Sequence, residues 1–127
     1  NSLISAAFSL QKTKSDSSLE SGQPQSGMSP NAPFEVFTRM HTASRGCIRT
    51  GSLAVNCAWV ACGKIQATYG IGVQIWDVAA GLAIAKQAGC SMRVARIANS
   101  TRLNFILGHA ENLEAMTDIF RECGVPL

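Results

Sequence analysis

Residues 53–89 read LAVNCAWVACGKIQATYGIGVQIWDVAAGLAIAKQAG. Two apolar runs dominate this stretch, residues 53–62 and residues 75–85, and a polar residue interrupts each of them once. Both runs are longer than a typical strand and shorter than the roughly 20 residues that cross a bilayer. The pattern therefore predicts two buried helices separated by a strand, and it predicts no transmembrane segment.

The first of these helices is expected to begin at Thr50-Gly51-Ser52 and to continue through Cys62, with Gly63 ending it. Its apolar residues continue around the whole helix, which predicts burial on all sides. Small side chains recur at the spacing i, i+3, i+4 and i+7 and predict close packing against another backbone: Ala54, Cys57, Ala58 and Ala61.

The second helix is expected over residues 76–88, and Gly89 is its stop signal. Between the two helices, residues 64–69 are expected to form a strand and residues 70–72, Gly-Ile-Gly, a turn. Trp59 and Trp76 are interpreted as core residues.

The flanking segments predict an α/β protein with alternating helix and sheet layers. Strands are expected at residues 3–8, 47–49, 90–95 and 103–107, the second of them at an edge of the sheet, and a loop at residues 11–30. A helix over residues 33–42 is expected to turn Phe34, Phe37 and either Met40 or His41 inward. An amphipathic helix over residues 111–123 is expected to bury one face: Leu113, Met116, Phe120 and Cys123, with Ile119 beside them.

Charge is distributed unevenly along the 127 residues, although the formal net charge is only +3. The segment between Glu35 and Glu111 carries eight basic residues and one acid, a local balance near +7, whereas the flanks are near −4. This distribution favours a small anionic ligand over a long polyanion such as nucleic acid.

Five cysteines without a C-x-x-C pair predict reduced core residues. Together with the absence of a visible secretory leader, they favour a cytoplasmic location. The first residue is Asn rather than Met, so we expect the chain to be a fragment or a processed product.

Asp77 is the one carboxylate of the apolar centre. An ionised carboxylate in such a segment needs a partner. It could cap the second helix by accepting backbone N–H groups, or it could bind Mg²⁺, a cation that favours carboxylate oxygen. The two roles are compatible, because a helix start holds a carboxylate in a fixed direction.

Thr50-Gly51-Ser52 is the second candidate site. A glycine at a helix start lets a ligand approach backbone N–H groups that favour phosphate, and Ser52 adds a hydroxyl. The alternative is an ordinary Ser or Thr helix cap.

Taken together, these segments resemble the inositol monophosphatase family of Mg²⁺-dependent, lithium-sensitive phosphatases. The resemblance extends over about residues 1–123 and rests on four elements of this sequence: Arg49-Thr50-Gly51-Ser52-Leu53-Ala54; Val60-Ala61-Cys62-Gly63 with Tyr69; Trp76-Asp77-Val78-Ala79-Ala80-Gly81; and Gln87-Ala88-Gly89.

The resemblance implies a layered αβαβα fold, of which residues 1–127 look like the C-terminal half, with a mixed sheet flanked by helices. It implies hydrolysis of inositol phosphate or another small sugar phosphate with Mg²⁺ as cofactor, and a possible homodimer. Asp77 corresponds to an aspartate that binds metal and lies close to the substrate, and Gly51, Ser52 and Leu53 correspond to a segment that contacts the substrate. No residue of this chain is assigned a separate catalytic role.

Two departures from the family pattern limit these expectations. The family's remaining carboxylate ligands lie on a glutamate and a D-P-[IL]-D-G-T element in an N-terminal half, and that element does not occur in this sequence. Gly70 stands where inositol-selective members carry a glutamate that contacts substrate hydroxyls. A non-catalytic family member acting through association and a related sugar or nucleotide phosphatase therefore stay open as alternatives.

Overall fold

A computed structural model describes residues 3–8, 28–48 and 52–127. Nine elements follow in chain order: β1 (Leu3–Phe8), α1 (Ala32–Ala43), β2 (Gly46–Ile48), α2 (Leu53–Ala61), β3 (Ala67–Gln74), α3 (Ile75–Gln87), β4 (Ser91–Arg96), β5 (Arg102–Gly108) and α4 (Ala110–Glu122). Most of the predicted loop at residues 11–30 lies outside the described residues, as do Arg49, Thr50 and Gly51.

The described strands form one mixed sheet in the order β2-β1-β3-β5-β4. β1 pairs in parallel with β2 and β3, whereas β5 is antiparallel to both β3 and β4. The predicted short strand is an edge strand, as expected, and the mixed sheet with helices against it confirms the α/β fold class.

Helices cover both faces of the sheet. α1 and α4 pack on one face, where Val36, Met40 and Phe120 join Tyr69 of β3 in a buried cluster. α2 and α3 pack on the other face, where Cys57 and Val78 join Phe105 of β5. Residues alternate between the two faces along β5, so Ile106 lies in the first cluster and Phe105 in the second. The predicted inner face of α4 is confirmed, because Met116, Phe120 and Cys123 are buried.

Three predictions of burial are wrong. In α1 the expectation fails for Phe34, which is 51% exposed, whereas Met40 is buried and Phe37 is partly buried against the core, as expected. Trp76 is 66% exposed rather than part of the core. α2 is not buried all round, since Ala54, Val55 and Ala58 face outward and only one side of the helix packs on the sheet and α3. The predicted stripe of small residues is therefore split between the packed and the exposed side.

The predicted Gly-Ile-Gly turn is also wrong. Residues 70–72 continue β3, and the pairing with β5 shifts by one residue between Gly70 and Val73. Gly72 has φ +65°, a conformation that glycine adopts without strain. The glycines therefore form a β-bulge, in which an extra residue of β3 faces β5, and not a chain reversal.

No helix in residues 3–8, 28–48 and 52–127 is long and apolar enough to span a membrane.

Candidate functional site at the starts of two helices

Asp77 lies in the first turn of α3, and its side chain is exposed. The residue that caps this helix is Gln74, three positions earlier, so the prediction that Asp77 is itself the cap is wrong. A carboxylate in the first turn still lies near the positive end of the helix dipole. Its exposure leaves the oxygens accessible to a ligand from outside the chain.

Ser52 is the N-cap of α2, and its side-chain oxygen accepts a hydrogen bond from the backbone N–H of Val55 at 3.3 Å. This contact confirms the capping interpretation of Ser52. Leu53 is the first residue of α2, and its side chain is partly buried against the core beneath the helix. The predicted contribution of Gly51 lies outside the described residues.

The chain connectivity brings these two helix starts to the same end of β3. α2 leads into β3 through residues 62–66, and α3 follows β3 without a connection. Both helices pack on the same face of the sheet, so each runs back along β3 and the two run in the same direction. Ser52 and Asp77 therefore lie at the end of the layer where β3 finishes.

The two helices approach closely where they pack together. A Cβ atom added to Gly81 of α3 would lie 2.7 Å from Cβ of Cys57 in α2, too near for any side chain. Gly81 therefore permits the contact, and Cys57 is fully buried there. Burial raises the pKa of the Cys57 thiol to about 11. The thiol consequently stays protonated and acts as an apolar packing group.

Polar side chains from the start of β5 hold the bulge that precedes Asp77. The amide of Gly72 donates to Oδ1 of Asn104 at 2.9 Å, and Nη1 of Arg102 donates to the carbonyl of Gly72 at 2.8 Å. Sequence reasoning missed both residues. The available signal was an asparagine between Leu103 and Phe105 in an otherwise apolar strand, a position that demands a hydrogen-bond partner.

Gly70 lies in β3 opposite Phe105 and faces the α2–α3 layer. A Cβ atom added there would lie 2.5 Å from Cε1 of Phe105 and 3.1 Å from Cγ1 of Val73. The phenyl ring thus covers the glycine, and a larger residue at this position must displace the ring.

The described residues do not by themselves fit a metal centre. Across the parts of the chain that the structure describes, no three or more His, Cys, Asp or Glu side chains lie together. Mg²⁺ prefers six oxygen ligands and keeps most of its water when a protein supplies only one carboxylate. Asp77 can therefore serve as one ligand of a site whose other protein ligands come from elsewhere.

The sequence of this chain is similar to proteins of known family. The model of the inositol monophosphatase family matches residues 3–118. The inositol-1-monophosphatase SuhB of Mycobacterium tuberculosis is 47% identical over 55 residues, which are 43% of this chain and 19% of that protein. The fructose-1,6-bisphosphatase/inositol-1-monophosphatase of Thermotoga maritima is 28% identical over 119 residues, 89% of this chain and 46% of that protein.

The solved structure of Mycobacterium tuberculosis SuhB shares the fold. It superposes with a TM-score of 0.73 at 23% identity over 98% of this chain and 43% of the other. The chain thus spans less than half the length of these proteins. The match over residues 3–118 and the shared fold agree with the resemblance given by the Trp76–Gly81 segment, and the chain belongs to the inositol monophosphatase family.

Proposed function

We propose that this chain forms part of a Mg²⁺-dependent phosphomonoesterase that hydrolyses inositol phosphate or a related small sugar phosphate. The observation that carries the proposal is the placement of the first turns of α2 and α3 at one end of β3, one with capped backbone amides and the other with an exposed carboxylate. Membership of the family and the excess of basic residues between Glu35 and Glu111 support an anionic substrate.

Each candidate residue has a role in this proposal. The start of α2 at Gly51, Ser52 and Leu53 binds the substrate through backbone N–H groups, which favour phosphate at the positive end of a helix. Asp77 provides one carboxylate ligand for Mg²⁺ and lies against the substrate. The other ligands come from a segment like the N-terminal half that the resemblance implies, so residues 1–127 form the C-terminal half of one domain. We also propose a cytoplasmic location and a homodimer, with no role in nucleic-acid binding.

A second candidate is a non-catalytic family member that acts by association with another chain. The absence of a cluster of three ligating side chains in the described residues favours it, because one carboxylate retains Mg²⁺ weakly.

The test compares two proteins, this chain alone and the same chain joined to the N-terminal half of a family member. Phosphate release from inositol 1-phosphate is measured with and without Mg²⁺. We expect no turnover from the chain alone and Mg²⁺-dependent turnover from the joined protein. Turnover by the chain alone on the order of 1 per second, an ordinary enzyme rate, would contradict the proposed division of ligands. A folded joined protein without activity would favour the non-catalytic candidate.

A further inference from the structure

The bulge in β3 and the first turn of α3 are held by Thr101 and by the first residues of β5. Asn104 and Arg102 bind the amide and the carbonyl of Gly72. Thr101 binds the next residues, because its hydroxyl donates to Oε1 of Gln74 at 2.7 Å and its carbonyl accepts from the amide of Ile75 at 2.9 Å. Gly72, Gln74 and Ile75 are therefore held by hydrogen bonds from residues 101–104.

Asn104 supplies a hydrogen-bond acceptor for a backbone amide of the bulge that has no partner in the sheet. A bulge places two residues opposite one, so one backbone amide has no partner in the ladder. The Asn104 side chain is fully buried and accepts from that amide, while its Nδ2 donates to the carbonyl of Pro126 at 2.8 Å. Without this acceptor, the partly buried N–H group of Gly72 would lose its hydrogen-bond partner, which favours a regular register instead.

A regular register would move Asp77. Removing the extra residue from the pairing shifts the end of β3 by one residue, about 3.4 Å along the strand, and exchanges the two faces. α3 begins directly after β3, so the shift passes to its first turn. The direction of the Asp77 carboxylate therefore depends on the bulge.

We infer that Asn104 and Arg102 are positioning residues for Asp77, acting through the bulge at Gly72. Neither residue contacts a ligand in this role. The inference has two parts. The structural part, that these residues set the position of the first turn of α3, rests on the contacts within this chain. The catalytic part, that this position affects the reaction, rests on the proposed function.

The structural part is tested by NMR of this chain. The amide signals of residues 75–78 and the indole N–H of Trp76 report the first turn of α3. Asn104→Leu removes the side-chain hydrogen bonds to the Gly72 amide and to the Pro126 carbonyl. Arg102→Met removes the hydrogen bond to the Gly72 carbonyl, whereas Arg102→Lys keeps a cationic donor at that position. We expect Asn104→Leu and Arg102→Met to shift these signals and Arg102→Lys to leave them near their original positions.

Ile106→Val and Ile106→Ala are the matched controls, because Ile106 is fully buried two residues from Asn104 on the same side of β5 and pairs with Tyr69 rather than with the bulge. They are compared at equal loss of Tm. The inference is overturned if the α3 signals move as much in the controls, or if they stay in place in both Asn104→Leu and Arg102→Met. If Asn104→Leu does not fold, the comparison of Arg102→Met with Arg102→Lys tests the inference.

The catalytic part is tested in the joined protein with inositol 1-phosphate. A displacement of about 1 Å in a catalytic group can lower the rate on the order of a hundredfold, so we expect Asn104→Leu to lower kcat strongly with little change in KM. Unchanged kcat in Asn104→Leu would overturn the catalytic part. If the unsubstituted joined protein has no activity, the proposed function fails, and the NMR result alone decides the structural part.

Discussion

At the scale of single residues, the ring of Phe105 leaves no space for a side chain at Gly70. Gly70→Ala would place Cβ 2.5 Å from Phe105, so the ring or the strand must shift. We expect the variant to lose about 1–3 kcal/mol of unfolding free energy, the usual cost of overpacking. Phe105→Leu has its own cost, but it should reduce the penalty of Gly70→Ala. Urea unfolding of both single variants and the double variant measures this coupling, and strictly additive losses would contradict the contact.

The same contact bears on the absence, at Gly70, of the glutamate that inositol-selective family members carry. A glutamate at this position would start beneath the Phe105 ring, so adding a carboxylate by substitution alone would disturb the core. Looser selectivity for inositol phosphates, which the missing glutamate predicts, is better measured in the unsubstituted joined protein. The ratio of kcat/KM for inositol 1-phosphate and glycerol 2-phosphate should be near unity, and a high ratio would show that another residue binds the ring hydroxyls.

Asp77→Asn separates a binding role from a structural one. The side chain is exposed and is not the cap of α3, so the substitution should change stability by less than about 1 kcal/mol, the usual worth of a charge at a helix end. In the joined protein we expect Mg²⁺-dependent activity to be lost, because an amide carries no charge to hold the cation. Tm and phosphate release are measured together. Near-normal activity in the folded variant would contradict the proposed role.

At the scale of helices and strands, the burial of Cys57 between α2 and α3 should make the stability of the fold depend on pH. The Cys57 thiol has a pKa raised from 9.0 to about 11 by burial in this contact. Between these values the folded chain keeps the proton while the unfolded chain releases it, so stability should fall as pH rises through this window. Urea unfolding at several pH values measures the slope. Cys57→Ala should show a smaller fall over the same range, and equal slopes would contradict the assignment.

At the scale of the whole molecule, the outer side of the α2–α3 layer is apolar. Val55 is 38% exposed and Ile84 60%, and Trp76 and several alanines of the two helices are exposed as well. Apolar surface of this kind is typical of an interaction site. We therefore expect the chain alone to associate, which sedimentation would detect. A stable monomer at high concentration would contradict this prediction.

Substitutions on the two layers locate that association. Val55→Gln with Ile84→Gln should reduce it, because both changes place an amide on the outer side of the α2–α3 layer. Phe34→Gln is the matched control, since Phe34 is 51% exposed but lies on α1, on the other side of the sheet. If the control reduces association as much as the double variant, the contact surface lies elsewhere.

Local sequence determined the helices of this protein and where they end. Ser52 caps α2, and Gly63 and Gly89, with φ of +83° and +90°, follow the ends of α2 and α3 as predicted. The periodicity of residues 111–123 gave the buried face of α4, and the Trp76–Gly81 segment indicated the family. These features depend on residues within a few positions of one another, which is why the sequence alone was sufficient.

Only the tertiary structure decided which sides of the helices are buried and how β3 meets β5. The Gly-Ile-Gly segment has the composition of a turn, yet pairing with a strand about 30 residues later keeps it extended and makes it a bulge. Asn104 and Phe105 act on Gly72 and Gly70 through that pairing, so no local pattern could reveal their roles. Trp76 and Val55 are apolar but exposed, because burial depends on the layers that surround a helix and not on its own composition.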